Sequence, residues 1–423
     1  MFERSEFASV ERADLPSLRA SFVHNPQKEA SWLIDFDRVY GGVFRFPGEA
    51  PWSARLARKL LSRLPAREET ICGGRAPTVR DARGSSASVL VCADPEALVP
   101  ESAQRRLLDG LSEGGFDLMF PVSNEAETQA LRRAPAFAYL TPADLVEVAG
   151  LSASSGEAPF PLGSTAFPVF AIRRAWLSRF PPDLALSELP ERAAGSGAKL
   201  AADPGAYVHR YAAVTASERA DLIGWLPEGA RRVLDVGCAQ GASAPALRRR
   251  GVSEIVGIEP DAAEAACAAR RYDRVVNARL DQVAEAWEGA FDAVLFGDVL
   301  EHLEDPALAL LKVRPWHAPG GCLVASVPNF GNASVLADLL NGQFDYVPYS
   351  LLSGTHLRFF TRQTLTDLFE ACGYDVVRLE AVVPEPTPSV AELSRKLGRL
   401  PGASGDLTAA EFIVLARPAP AGR

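Results

Sequence analysis

The residues best placed to do chemistry begin at a turn. Val233-Leu234-Asp235-Val236 is short, apolar and β-branched at two positions, and it runs into Gly237-Cys238-Ala239-Gln240-Gly241. The run reads as a buried parallel strand. Glycines at 237 and 241 allow a tight turn and close backbone approach, and the helix-forming stretch 242–247 tolerates Pro245 in its first turn. A small ligand can therefore lie across the C-terminal edge of the strand. Eighteen residues beyond Gly241, the apolar run 254–259 ends in Glu259. A carboxylate there either accepts hydrogen bonds from both hydroxyls of a ribose or is an ordinary solvated strand-end acid. Asp261 and Glu264 have the spacing of a capping box for the next helix. Two histidines follow: His302, in Gly297-Asp298-Val299-Leu300-Glu301-His302, and His356, in Ser353-Gly354-Thr355-His356-Leu357-Arg358-Phe359-Phe360-Thr361. Imidazole changes charge near neutral pH, so either can move or orient a proton.

These groups need a frame. Further strands read at 274–278, 291–296, 321–329, 374–379 and 411–416, which with the first two make seven strands interleaved with helices. That pattern predicts an α/β fold with a doubly wound, Rossmann-like sheet whose ligands sit beyond the strand C-termini. A small-residue-rich seam at 193–205 divides the chain into a separate N-terminal α/β domain, 1–204, and a C-terminal domain, 205–423. A helical rhythm over 207–225, ended by Gly229, leads into the first strand of the second domain. In the first domain, 52–64 reads as a helix, 65–86 as a loop, 87–92 and 116–122 as strands flanking a helix at 101–111, and 166–177 as an extended piece running into a helix.

The chain has 423 residues, too many for one core, with 48% apolar and 23% charged residues suited to ordinary folded domains. A formal charge of −9 argues against a broad polyanion-binding face, so no nucleic-acid partner is expected. No apolar run is long enough to span a bilayer, and the interleaved charges of residues 1–20 do not read as a secretory signal. Six scattered cysteines form no ligand-like cluster, so reduced thiols, a cytoplasmic location and no metal are expected.

The turn, Glu259, Phe291-Asp292-Ala293-Val294-Leu295-Phe296-Gly297-Asp298-Val299-Leu300-Glu301-His302, Pro319-Gly320-Gly321-Cys322-Leu323-Val324-Ala325-Ser326-Val327-Pro328-Asn329 and Thr355-His356-Leu357-Arg358-Phe359-Phe360-Thr361 occur in one order over 205–420. In that combination the chain resembles class I S-adenosylmethionine-dependent methyltransferases of the bacterial small-molecule and glycan type. The resemblance implies S-adenosylmethionine as cofactor. Asp235 and the turn Gly237, Cys238, Ala239 and Gly241 would surround its methionine part, Glu259 its ribose, Asp281 and Gln282 its adenine, and Asp298 and Val299 the donor pocket. The family commonly has glycine where this chain has Ala239, and often an acid where it has Arg279.

The implied reaction is methyl transfer to a hydroxyl of a sugar, glycan or other small molecule, which demands positioning and removal of a proton. His302 and His356 are the catalytic candidates; each is equally readable as a loop anchor. Arg358, Tyr346 and Tyr349 are candidates for acceptor binding, the tyrosines within a 330–360 excursion that reads as a lid, an acceptor wall or a small local core. Tyr207, His209, Arg210 and Tyr211 could approach the cofactor from the linker side. Residues 85–210 resemble part of a nucleotide-sugar glycosyltransferase fold, but without a paired-acid metal motif, which implies a degenerate or acceptor-presenting domain. Two rivals remain: a noncatalytic scaffold associated with polysaccharide synthesis, and a nicotinamide oxidoreductase, whose G-x-G-x-x-G fingerprint Ala239 interrupts.

Overall fold

A computed structural model describes residues 69–72, 79, 88–92, 97–124, 126, 128–163, 165, 167–210, 218–284, 287–344 and 350–420. The expected helix at 52–64 lies outside them. The chain divides into two compact units, one drawn from Met1–Ala136, Pro142–Ala212 and Tyr346–Pro348, the other from Phe137–Thr141, Ala213–Asp345 and Tyr349–Arg423. Among the described residues, no helix is long and apolar enough to cross a membrane.

The first unit holds a mixed sheet of β1 (Glu69–Cys72), β2 (Ser88–Cys92), β3 (Ala97–Leu98), β4 (Leu118–Ser123), β5 (Phe160–Leu162), β6 (Val169–Arg173) and β7 (Leu200–Arg210), ordered β1-β2-β6-β4-β7-β3 with β5 beside β7. The helix Glu101–Glu113 buries Ala103, Leu107, Leu108 and Leu111, the helical spacing that made it legible. Two expectations are corrected. The stretch 65–86 is not all loop, since β1 lies within it. Of the helical rhythm expected at 207–225, residues 207–210 instead extend β7, and among the described residues the helix is Ala220–Ile223. Asp203-Pro204-Gly205 lies at a bulge within β7. β7 steps from Asp203 opposite Pro121 to Tyr207 opposite Val122. Asp203 is buried there and takes two bonds from Arg106, at 2.9 and 2.7 Å.

The second unit holds β8 (Arg232–Val236), β9 (Glu254–Ile258), β10 (Arg274–Val276), β11 (Phe291–Gly297), β12 (His317–Pro328), β13 (Tyr374–Val382) and β14 (Glu411–Pro418). Their order, β10-β9-β8-β11-β12-β14-β13, is the expected doubly wound, seven-stranded sheet. β8 to β12 pair in parallel, while β14 runs antiparallel to both β12 and β13. Side chains alternate across the sheet into two cores: Leu234, Val236, Val256, Ile258, Val294, Phe296 and Leu323 on one face, Val233, Ile255, Ala293, Leu295 and Val324 on the other. Both faces are covered, as a parallel sheet requires. Strand order reverses between β8 and β11, so the crevice for a ligand opens where residues 237–241 and 298–302 leave the sheet.

Histidine 317, on β12, is buried against Tyr374 of β13. Tyr374 donates its hydroxyl proton to the Leu310 carbonyl, so His317 Nε2 donates to the tyrosine oxygen at 3.2 Å and Nδ1 carries the lone pair. Burial, aided by Arg314, lowers the His317 pKa from 6.5 to about 4. Below pH 6.5 the unfolded chain binds a proton that native His317 refuses, so stability falls as pH drops from 6.5 towards 4. The full effect is at most roughly 3 kcal/mol. His317→Phe is expected to flatten this part of the pH dependence of the urea midpoint. An unchanged slope would contradict the assignment.

Candidate active site

The turn after β8 has the geometry its glycines suggest. Gly237, Ala239 and Gly241 all have positive φ, 71°, 43° and 71°. The amides of Gly237 and Cys238 donate back to the Ile258 carbonyl at 2.8 and 3.2 Å, tying the turn to the end of β9. The Glu259 carboxylate then holds both strand ends: Oε2 accepts from the Ala239 amide and Oε1 from the Asp261 amide, each at 2.9 Å. Burial raises the Glu259 pKa, and these two amide bonds oppose the shift. The expected capping box is half formed. Asp261 caps the helix Ala262–Ala268 by accepting from the amides of Ala263 and Glu264. The return bond is missing because Glu259 takes the Asp261 amide and Glu264 accepts from Gln240 instead.

Asp235, 7% exposed, accepts a 2.6 Å hydrogen bond from the Tyr272 hydroxyl. Burial pushes Asp235 up to about 6 against that bond. Tyr272 went unnoticed in the sequence because it stands outside every motif. Its ring backs the turn so closely that a Cβ at Gly257 would lie 2.9 Å from the ring and 2.6 Å from Cys238 Sγ. On the other side, a Cβ at Gly237 would lie 2.6 Å from Val299 Cγ2. The loops leaving β8 and β11 touch only because residue 237 lacks a side chain.

At the end of β11, Asp298 has φ 54° and is held from two directions. Ser326 donates to its Oδ1 at 2.7 Å, and Arg219 to its Oδ2 at 2.5 Å. Arg219 also reaches Asp221, Ser326 and Glu411, the last at 2.8 Å. Burial lowers the guanidinium pKa, but Asp298, Asp221 and Glu411 together hold it above the ordinary value. Burial and Asp298 push Glu411 up to about 7, against Arg219. Neither Arg219 nor Glu411 was signalled by the sequence. Asp281 and Gln282 are exposed in the 3-10 turn Leu280–Gln282, beyond β10, and Arg279 turns to Asp281 at 3.2 Å.

The structure brings together the two histidines that the sequence placed in separate patches. The Glu301 carbonyl accepts from the amides of Leu357 and Arg358, at 2.7 and 3.0 Å, which sets residues 356–358 beside 301–302. The imidazoles of His302 and His356 meet edge-to-face with centroids 4.9 Å apart. Burial, together with His302, lowers the His356 pKa to about 4, so the ring is neutral at pH 7. Glu301 does not cap the following helix, whose cap is Asp305. Residues 353–361 are irregular, not a strand, and the exposed Arg358 spends its guanidinium on the carbonyls of Leu357 and Glu304. The excursion 330–360 is closed at its base by a bridge between Asn329 and Phe360 and contains the helix Ala333–Leu340. Phe330 packs against Phe344 and Phe359 within it. Tyr346, Tyr349 and Tyr211 lie outside the described residues, while Tyr207, His209 and Arg210 belong to β7 of the first unit.

A family profile described as a methyltransferase domain matches residues 206–379. A Cereibacter sphaeroides protein named ubiquinone biosynthesis O-methyltransferase is 30% identical over 181 residues, 39% of this chain and 69% of its own length. The chain belongs to the S-adenosylmethionine-dependent methyltransferases. Proteins of the same name from Alkalilimnicola ehrlichii and Dinoroseobacter shibae are 34% and 33% identical over 30% and 37% of this methyltransferase. The chain spans 52% and 64% of the length of those two relatives. Its cofactor is S-adenosylmethionine, and the residues fit that group. The left-handed turn 237–241 leaves the sheet at the crevice, and each Glu259 oxygen keeps a second lone pair for a ribose hydroxyl.

Ala239 holds a left-handed conformation that costs an L-residue about 1 kcal/mol. Ala239→Gly is therefore expected to raise the stability of this methyltransferase by about that amount in urea unfolding, against the usual sign for alanine-to-glycine. Tyr272→Phe leaves the buried Asp235 carboxylate without its donor and should cost about 1–3 kcal/mol in the same measurement.

Proposed function

We propose that the second unit transfers a methyl group from S-adenosylmethionine to a hydroxyl oxygen of a small-molecule acceptor. The observation that carries this reading is the meeting of the His302 and His356 rings, neighbours of Asp298, beside the crevice opened by the 237–241 turn. When bound, S-adenosylmethionine supplies a methyl group on a positively charged sulfur.

In this reading Asp235 and the turn amides orient the methionine end, Glu259 receives the ribose hydroxyls, and Asp281 with Gln282 lies along the adenine. Asp298 and Val299 line the side of the pocket nearest the transferred methyl. The acceptor end is the histidine pair. Each ring bonds a main-chain carbonyl through Nδ1, at 3.0 Å to Thr355 and 3.1 Å to Leu351, so Nε2 carries the lone pair in both. A hydroxyl presented to that side is oriented and loses its proton as the new bond forms. The relatives' name favours oxygen as the methylated atom. A sugar hydroxyl, as the sequence resemblance implies, is one form this acceptor can take.

The test uses the whole chain with methyl-labelled S-adenosylmethionine and two acceptor panels, phenols and catechols in one, free sugars and glycosides in the other. Label is expected on oxygen, with release of S-adenosylhomocysteine. Glu259→Gln is expected to weaken cofactor binding in calorimetry by about tenfold or more, the loss of one charge-assisted ribose contact. Wild-type protein that binds no cofactor would sink the proposal, and label found on nitrogen would overturn the choice of acceptor atom.

A further inference from the structure

The first unpartnered feature of the site is Glu301. Its side chain is 1% exposed, and neither carboxylate oxygen has a hydrogen-bond partner. A buried acid left this way loses the solvation of its charge with nothing in exchange, unless a cation is supplied. One donor atom from each of Glu301, His302 and His356 lies within 4.8 Å of the others. Both histidines are set up as ligands by their surroundings. A main-chain carbonyl can only accept, so the bonds from Thr355 and Leu351 place the proton on Nδ1 of each ring and leave Nε2 as the basic nitrogen. That outer bond is the arrangement by which proteins fix the tautomer and aim of metal-ligating histidines. The charges of Asp298 and Glu411 oppose ionisation of Glu301 and that of Arg219 favours it, two acids against one base.

We propose that Glu301, His302 and His356 form a binding site for a divalent transition-metal ion, a site the cysteine pattern gave no reason to expect. Two imidazoles and one carboxylate suit zinc, cobalt, manganese or iron better than magnesium or calcium, which prefer oxygen donors. Donors sharing an ion at about 2.1 Å lie about 3.4 Å apart, so the three side chains close by at most about 1.4 Å around it. Three protein ligands leave at least one position open. Resting on the proposed methyl transfer, that position takes the acceptor hydroxyl. Its proton passes to solvent water, its oxygen forms the bond to the methyl carbon, and the carbon–sulfur bond breaks with its electron pair retained by sulfur. The histidines then act through the ion and not as bases.

The site is tested without the reaction. The full chain, stripped with a chelator, is titrated with cobalt(II) and zinc(II), read by visible absorption and calorimetry, and its metal content measured after dialysis. One ion per chain is expected, with cobalt bands of a nitrogen- and oxygen-ligated centre. His356→Gln and Glu301→Gln are each expected to weaken binding by about 10–100-fold, while S-adenosylmethionine binding by the stripped protein stays intact. Urea unfolding identifies any variant that fails to fold; the second variant then decides. Uptake well below one ion per chain, or unchanged affinity in folded variants, overturns the site, and magnesium bound as tightly as cobalt overturns the assigned metal class. Cofactor binding by the stripped wild type separates failure of the metal site from failure of the methyl-transfer reading.

Discussion

The carboxylate of Glu259 is the constraint on which the rest of the cofactor region depends. It bonds the amide of Ala239, beyond β8, and the amide of Asp261, beyond β9. Those bonds satisfy donors that would otherwise be orphaned at two adjacent strand ends. They also hold Ala239 in a conformation it would not choose and set Asp261 where it caps the next helix. Tyr272 braces the same turn from behind through Asp235, and Val299 closes it from the neighbouring loop. The pocket is therefore preorganised by its own main chain, and little reordering remains for the moment a ligand arrives.

The proposed acceptor side is built on a different principle. There, charge is concentrated and only partly balanced. Arg219 serves Asp221, Asp298 and Glu411 at once, which leaves Glu301 with no base of its own. Such an arrangement reduces stability in the free protein and marks a place where the fold is shaped for something it receives.

What could be read from the sequence followed the range of the interactions. The strands, the turn and Glu259 were legible because their signals are local: hydrophobic runs, glycine spacing and an acid at a strand end. The Asp261 cap was legible and the return bond from Glu264 was not, because Glu259 competes for the same amide and no local pattern reveals that. The strand β7 was misread where a buried Arg106–Asp203 pair, joining residues 97 apart, turns a Pro-Gly step into a bulge. Arg219 and Tyr272 belong to no motif, and their roles exist only through partners on other strands. The histidines were each singled out, but their meeting depends on the Glu301 carbonyl reaching amides at 357 and 358. Tertiary hydrogen bonds of that kind leave no periodicity behind.

The placement of β14 bears on how the unit is made. This strand is inserted between β12 and β13, and its first residue, Glu411, meets Arg219, which lies 192 residues earlier. A nascent chain emerging from the ribosome can assemble β8 to β12 but must carry β12 with an open edge until residues 411–418 appear. Only then does β13 gain its neighbour and the charge cluster around Asp298 its last member. Such long-range closure slows folding and exposes an unpaired edge in the interval. It also means that the charge cluster around Asp298 is completed by the last strand of the sheet, through the Arg219–Glu411 contact.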